Sequence, residues 1–175
     1  MIASNTYEIR WFFDYEVQKV DFEQLFNDAE FVEESRVDNY LISNNNQVSI
    51  KRREGLFEFK YSTNQQLIIN NFVFQSYRKY SFTNVEEYGD NRFIDVHKKR
   101  IVYLLNSGNL RIENSSLQIG LNKYHSVNIE INETNLEPSI GLLEQDSRFT
   151  VLFSKLKSIS DTRIISYSEF ISQFY

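Results

Sequence analysis

The 175 residues include no cysteine, one proline, five glycines and two histidines. Each scarcity removes some chemistry. Without cysteine there can be no disulfide, no zinc–thiolate centre and no thiol nucleophile, and the chain suits a reducing compartment, so a cytoplasmic location is expected. The few glycines form neither a phosphate loop nor a Gly-x-Gly-x-x-Gly turn, which leaves the glycine-cradled nucleotide folds unsupported. His97 and His125 fall in separate segments with no ligand-like spacing, and no serine sits in a Gly-x-Ser-x-Gly turn, so a hydrolase triad has no support either. No apolar run is long enough to cross a bilayer, and Met1-Ile2-Ala3-Ser4-Asn5 lacks the basic and apolar regions of a signal peptide; no membrane partner is expected. Positive charge is in the minority, with 19 Lys and Arg against 24 Asp and Glu, a net charge of −5. That is a poor basis for nucleic-acid binding, and none is expected.

Aromatic residues are abundant, 15 Phe and 11 Tyr, and they favour pleated, half-buried surfaces. Tyr7, Ile9, Trp11 and Phe13 alternate with Glu8, Arg10 and Phe12, which predicts a first strand over 7–13. Asp21 with Gln24 forms a capping box before the apolar stripe Phe22, Leu25, Phe26 and Ala29, a short helix. Strands are expected over 36–43 and 47–54 around Asn44-Asn45-Asn46, and over 56–62 after a Glu54-Gly55 turn. Residues 66–82 read as one long strand with a bend near Asn70-Asn71, and 83–92 as a loop or short helix. Further strands fall at 94–105, 110–113 after Ser107-Gly108, and 124–132, where Val127, Ile129 and Ile131 alternate with Ser126, Asn128, Glu130 and Asn132. The tail turns helical at Phe149, Leu152, Phe153 and Leu156, and again after a Ser166–Glu169 capping box. No linker, repeat or low-complexity segment divides residues 1–175, so one domain is expected, of mainly antiparallel α+β class.

Several strands carry charge on one face and apolar residues on the other. The charged sets are Glu8 and Arg10, Lys51 and Arg53, Glu58 and Lys60, Arg78, Lys98 and Arg100, and Asn128 with Glu130. Solvent-facing sheets satisfy this pattern. So does a closed or nearly closed barrel with its polar face inward and a few helices outside, since barrels of about eight strands can hold one small ligand. In that arrangement basic side chains would bind phosphates, and carboxylates would hold a divalent cation against them. The triplets Lys51-Arg52-Arg53 and Lys98-Lys99-Arg100 form no single basic surface, because neighbours on a strand point to opposite faces.

Taken in order, these segments resemble the CYTH family of triphosphate-tunnel proteins. Tyr7-Glu8-Ile9-Arg10-Trp11-Phe12 stands where that family has a Glu-x-Glu-x-Lys strand. Arg36-Val37-Asp38-Asn39-Tyr40-Leu41 is similar to its Asp-x-Tyr-Leu region, Val48 to Gly55 with Glu58-Phe59-Lys60 to its basic strand and return, and Lys98-x-Arg100 to its Lys-x-Arg strand. Gly120, Tyr124 and Ile129-Glu130-Ile131 resemble the late acidic strand, and Ser166-Tyr167 the closing segment. The resemblance implies an antiparallel β tunnel that binds an anionic or phosphorylated small molecule. Lys51, Arg53, Lys60, Arg78, Lys98 and Arg100 would hold the anion. Glu8, Glu58 and Glu130 would hold Mg²⁺ or Mn²⁺, and the implied reaction is hydrolysis of a phosphoanhydride. The sequence departs from the family at Arg10, which replaces the second Glu, at Phe12, which replaces the Lys, and at Asn128, where an acid is usual. These departures leave open a non-catalytic binding or interaction module, in which inward pairs such as Arg10 with Glu130 are structural salt bridges.

Overall fold

The computed structural model describes residues 1–14, 21–43, 45, 47–53, 55–83, 92–159 and 162–174. Eight antiparallel strands close on themselves: β1 (Ile2–Asp14), β2 (Glu30–Leu41), β3 (Val48–Arg53), β4 (Leu56–Ile69), β5 (Phe72–Thr83), β6 (Phe93–Leu105), β7 (Leu110–Ile119) and β8 (Asn122–Asn132). Around the barrel the order is β1-β5-β4-β3-β2-β6-β7-β8, and β8 returns to β1. β1 pairs with β5 only as far as Glu8; beyond it, the two-residue β9 (Arg163–Ile164) takes the same edge at Trp11 and Phe12.

Local chemistry sets the turns. Asn70 and Asn71 both adopt positive φ (51° and 64°), the geometry of a two-residue hairpin loop that asparagine tolerates better than most residues. They therefore separate two strands, where the sequence suggested a bend within one. The strand expected over 56–62 runs on to Ile69, through a register shift between Ser62 and Gln66 with Asn64 at φ 62°. β7 runs on to Ile119, well past the 110–113 stretch read from sequence. Asn44, Asn46, Glu54 and residues 84–91, which carry the Asn-rich turn, half of the Glu54-Gly55 turn and the expected loop, lie outside the described residues.

The outer face of β1, β5, β7 and β8 is apolar and covered. Trp11, Phe13, Phe72, Phe74, Ile112, Val127 and Ile129 pack against Leu143 of α2 (Leu136–Gln145) and against Phe149, Leu152, Phe153 and Leu156 of α3 (Ser147–Lys157). The α3 residues follow the predicted i, i+3, i+4, i+7 stripe. All four are buried, and each such side chain contributes about 1.5–3 kcal/mol. Helix α2 went unpredicted; it contains the only proline, Pro138, in its first turn, where no backbone N–H is missed. Asp21 does cap a helix, accepting from the Gln24 N–H at 2.9 Å, but α1 (Phe22–Leu25) is a single turn.

A second apolar cluster lies inside the barrel. Phe12, Tyr40, Val96, Leu117 and Ile119 point inward at one end, where α4 (Tyr167–Ser172) inserts Phe170 and Ile171 between them. Phe12 and Phe170 stack at 4.0 Å between ring centroids with an 11° interplanar angle. Ser166 caps this helix, accepting from the Glu169 N–H at 3.0 Å as the capping box predicted. The C-terminal segment thus forms a stopper, and the barrel becomes a cup. No helix among the described residues is long and apolar enough to cross a membrane.

Candidate functional site

Register brings the charged faces together. Glu8 lies opposite Gln75 on one side and Glu130 on the other; Arg10 lies opposite Asn128, and Asn128 opposite Glu113. Lys51 pairs with Glu58 and with Tyr40, and Lys98 with Arg36. Because cross-strand partners share a face, all of these side chains point into the barrel. They enclose a cavity of about 640 Å³ lined by nine Lys and Arg side chains and five Glu. An acidic chain therefore surrounds a cationic hollow.

Of the residues expected to bind an anion, Lys51, Arg53, Lys60, Lys98 and Arg100 line this cavity. Arg78 does not. It shares its face of β5 with Phe72 and Phe74, lies exposed outside the barrel and rests over the Tyr80 ring at 5.6 Å. Lys79 takes the inward place. The period-2 relation of Arg78 to the two phenylalanines is the signal available in the sequence, and it places Arg78 outside whether or not the chain turns at Asn70-Asn71.

Glu113, which the sequence reading passed over, organises the interior. Its carboxylate meets Arg10 at 2.9 Å, Arg100 at 2.5 Å and Lys98 at 3.7 Å, and accepts from Ser115 Oγ at 2.9 Å. Burial alone would raise this carboxyl, but Lys98, Arg10 and Arg100 hold it well below the usual carboxylate range. Arg10 is thus bound to Glu113, not to Glu130 as the Arg–Glu pairing suggested. Glu130 meets Arg111 at 3.7 Å. Ser126 Oγ lies 3.1 Å from Arg10 Nη1; with its amide oriented to donate to the Ile9 carbonyl, Asn128 accepts from Arg10 Nη2 at 3.3 Å. Asn128 therefore serves as a neutral acceptor for a buried cation.

The three glutamates expected to hold a metal stand on the cavity wall, but lysines occupy two of them. Lys60 Nζ grips both Glu8 oxygens at 2.5 and 2.6 Å; Lys51 Nζ lies 2.5 Å and Lys79 Nζ 3.6 Å from Glu58. Against burial, Lys51 and Lys79 draw the Glu58 carboxyl down to about 2. Burial and the facing Glu8 raise Glu130, whereas Glu8 itself is lowered because Lys60 outweighs its burial. No group of three or more His, Asp or Glu side chains placed to hold a metal occurs among the described residues. As arranged, Glu8 and Glu58 do not fit a divalent ion, since lysine ammonium groups occupy them, and among the described residues Glu130 has only Arg111 as an ion-pair partner, at 3.7 Å.

Not every cation is equally engaged. Lys51, Lys60, Arg36 and Arg100 each touch a carboxylate at 2.5–2.6 Å. Among the described residues, Lys98 comes no nearer than 3.7 Å to one, and Arg53 no nearer than 4.0 Å. Burial pushes the Lys98 ammonium down to about 7, with Arg10 and Lys51 adding to the effect and Glu113 and Asp38 opposing it. Tyr167 marks the boundary with the stopper. Its ring stacks on Tyr40 at 4.7 Å and carries Lys98 at 4.6 Å and Arg10 at 5.1 Å.

No family model matches the sequence, and no curated protein does. Solved structures do match it. The Pct1 RNA triphosphatase of S. pombe aligns over 89% of this chain at 11% identity, covering 81% of its own length in complex with the Spt5 CTD (TM-score 0.47) and 80% without it (TM-score 0.43). A conserved hypothetical protein from Pyrococcus furiosus aligns over 94% of this chain and 98% of its own, with 20% identity and a TM-score of 0.50. The likeness to the P. furiosus protein shows a shared fold.

Proposed function

We propose that this barrel is a metal-free receptor for a compact phosphorylated polyanion, taken end-on into a tunnel of CYTH type. The observation that carries the reading is the excess of fixed cations inside a cup whose apolar end is stoppered. A chain of net charge −5 gathers nine Lys and Arg around one cavity against five Glu. Such convergence is costly unless an anion completes it, because like charges in a low-dielectric space repel strongly. Arg10 supplies a permanent positive charge, so phosphate oxygens need no divalent ion to meet one. Lys98 and Arg53, no nearer than 3.7 Å to a carboxylate among the described residues, are the primary anchors; Lys51, Arg36 and Arg100 complete the nest by exchanging carboxylate for phosphate contacts.

The test is a thermal-shift titration with tripolyphosphate in excess EDTA. A ligand that binds only the folded state raises the midpoint by mass action. The expected result is a saturable shift in EDTA that Mg²⁺ does not enlarge and that Lys98→Ala abolishes. A second reading, metal-dependent phosphoanhydride hydrolysis, draws on Glu8 and Glu130 facing each other across β1 and β8. It requires a shift only when Mg²⁺ or Mn²⁺ is present, with phosphate release that disappears in Glu8→Gln and Glu130→Gln.

A further inference from the structure

Asp38 is the most anomalous side chain in the barrel. It is fully buried at 0% exposure, on the inward face of β2. Four cations from three strands surround it: Arg36 Nε at 3.3 Å, Lys51 Nζ at 3.8 Å, and Arg53 Nε and Lys98 Nζ both at 4.0 Å. Yet neither carboxylate oxygen accepts a hydrogen bond, and Arg36 Nε is unsatisfied as well. A buried carboxylate normally draws its partners into contact, because an unmet acceptor forfeits its solvation without return. Glu113 does so, meeting Arg100 at 2.5 Å and accepting from Arg10 and Ser115 at 2.9 Å. Asp38 stands behind its cations, shared by four and bonded to none, while Arg36, Lys51, Arg53 and Lys98 themselves face the cavity.

We propose that Asp38 is a resident counter-anion. It keeps the four cations of the empty nest converged and, by competing for them, sets the affinity of the tunnel for its ligand. The inference rests on the anion-receptor reading above and adds a residue that acts through others, a positioning residue that does not itself touch the ligand. Its charge has two opposite effects. In the empty protein it relieves repulsion among four neighbouring cations and so stabilises the fold. In the complex it repels the bound anion across the same cations. Unit charges within about 6–8 Å at a surface-like dielectric interact strongly enough to change an equilibrium tenfold or more. Removing the charge while keeping the shape should therefore weaken the fold and tighten the binding. A merely structural role predicts that both fall together.

The experiment compares wild type, Asp38→Asn and Asp38→Glu by calorimetric titration with tripolyphosphate in EDTA, alongside thermal unfolding without ligand. The expected result is a lower unfolding midpoint for Asp38→Asn with an affinity at least about tenfold higher. Asp38→Glu, which keeps the charge, should stay near wild-type affinity. If Asp38→Asn does not fold alone, it is refolded in tripolyphosphate; recovery of the folded barrel there supports the proposal, and failure overturns it. Unchanged or weaker binding by a folded Asp38→Asn also overturns it. Absence of binding by the wild type would overturn the receptor reading itself, an outcome separate from any effect of Asp38.

Discussion

The inside of this barrel holds two regions built from the same strands with opposite chemistry. Along β1 the inward positions run Glu8, Arg10, Phe12; along β6, Arg100, Lys98, Val96; along β7, Glu113, Ser115, Leu117; along β2, Arg36, Asp38, Tyr40. In each, one step of the two-residue period carries the wall from ion pairs to apolar packing. The charged stretch encloses the cavity, whose width follows from an eight-stranded closure. The apolar stretch has none, because Phe170 and Ile171 fill it. Polarity along the strand, as much as alternation across it, fixes the depth of the cup. Tyr167 sits at the change, stacked on Tyr40 with two cations against its ring.

The largest expected effects lie at the stopper. Phe12→Ala or Phe170→Ala should each cost about 3–5 kcal/mol in urea unfolding. The double variant should cost less than the sum, since the two rings are in contact. Additive losses would mean that the helix is not seated on Phe12. Next is Glu113→Gln, which leaves Arg10, Arg100 and Lys98 without their shared carboxylate. A loss of about 3 kcal/mol is expected, because a buried charge stripped of its partner is strongly unfavourable.

A smaller and more discriminating effect concerns Lys98. Its folded value of about 7 lies below the ordinary 10.5, so between these limits the unfolded chain binds the extra proton and stability rises with pH. An anion in the nest restores that proton. Sulfate, which does not titrate in this range, should therefore bind more weakly as pH rises through 7, and Lys98→Arg should flatten the profile. A pH-independent affinity would separate Lys98 from the ligand. The smallest effect sharpens the contrast between two facing glutamates. Burial and Glu8 raise Glu130, whereas Lys60 lowers Glu8. At neutral pH, Glu130→Gln should be neutral or stabilising within about 1 kcal/mol, and Glu8→Gln destabilising, as read by thermal unfolding. Loss of ligand response in Glu130→Gln would favour the metal-dependent reading.

Much of this architecture was legible where alternation was uninterrupted. Val127, Ile129 and Ile131 announced β8 and its buried face, and Lys98 with Arg100 announced an inward pair. Legibility failed where a break hid the phase. Asn70-Asn71 turns the chain between two strands, and alternation has to be counted from Phe72 and Phe74, which puts Arg78 outside and Lys79 inside. Glu113 went unnoticed because β7 continues through Asn114, Ser115 and Ser116, residues of low strand preference that only the neighbouring strands hold extended. Asp38 was visible within its motif, but its isolation amid four cations depends on distances between strands, which alternation does not encode. Phe12 read as a loss relative to the family pattern; its stacking on Phe170 depends on a segment about 160 residues away in sequence, too distant for local pattern to pair.

The most direct test of the account is calorimetric titration of tripolyphosphate into the protein in excess EDTA, with Lys98→Ala and Arg78→Ala in parallel. The account predicts saturable binding by wild type and Arg78→Ala, and its loss in Lys98→Ala. Binding that appears only after Mg²⁺ is restored, or that survives in Lys98→Ala, would contradict it.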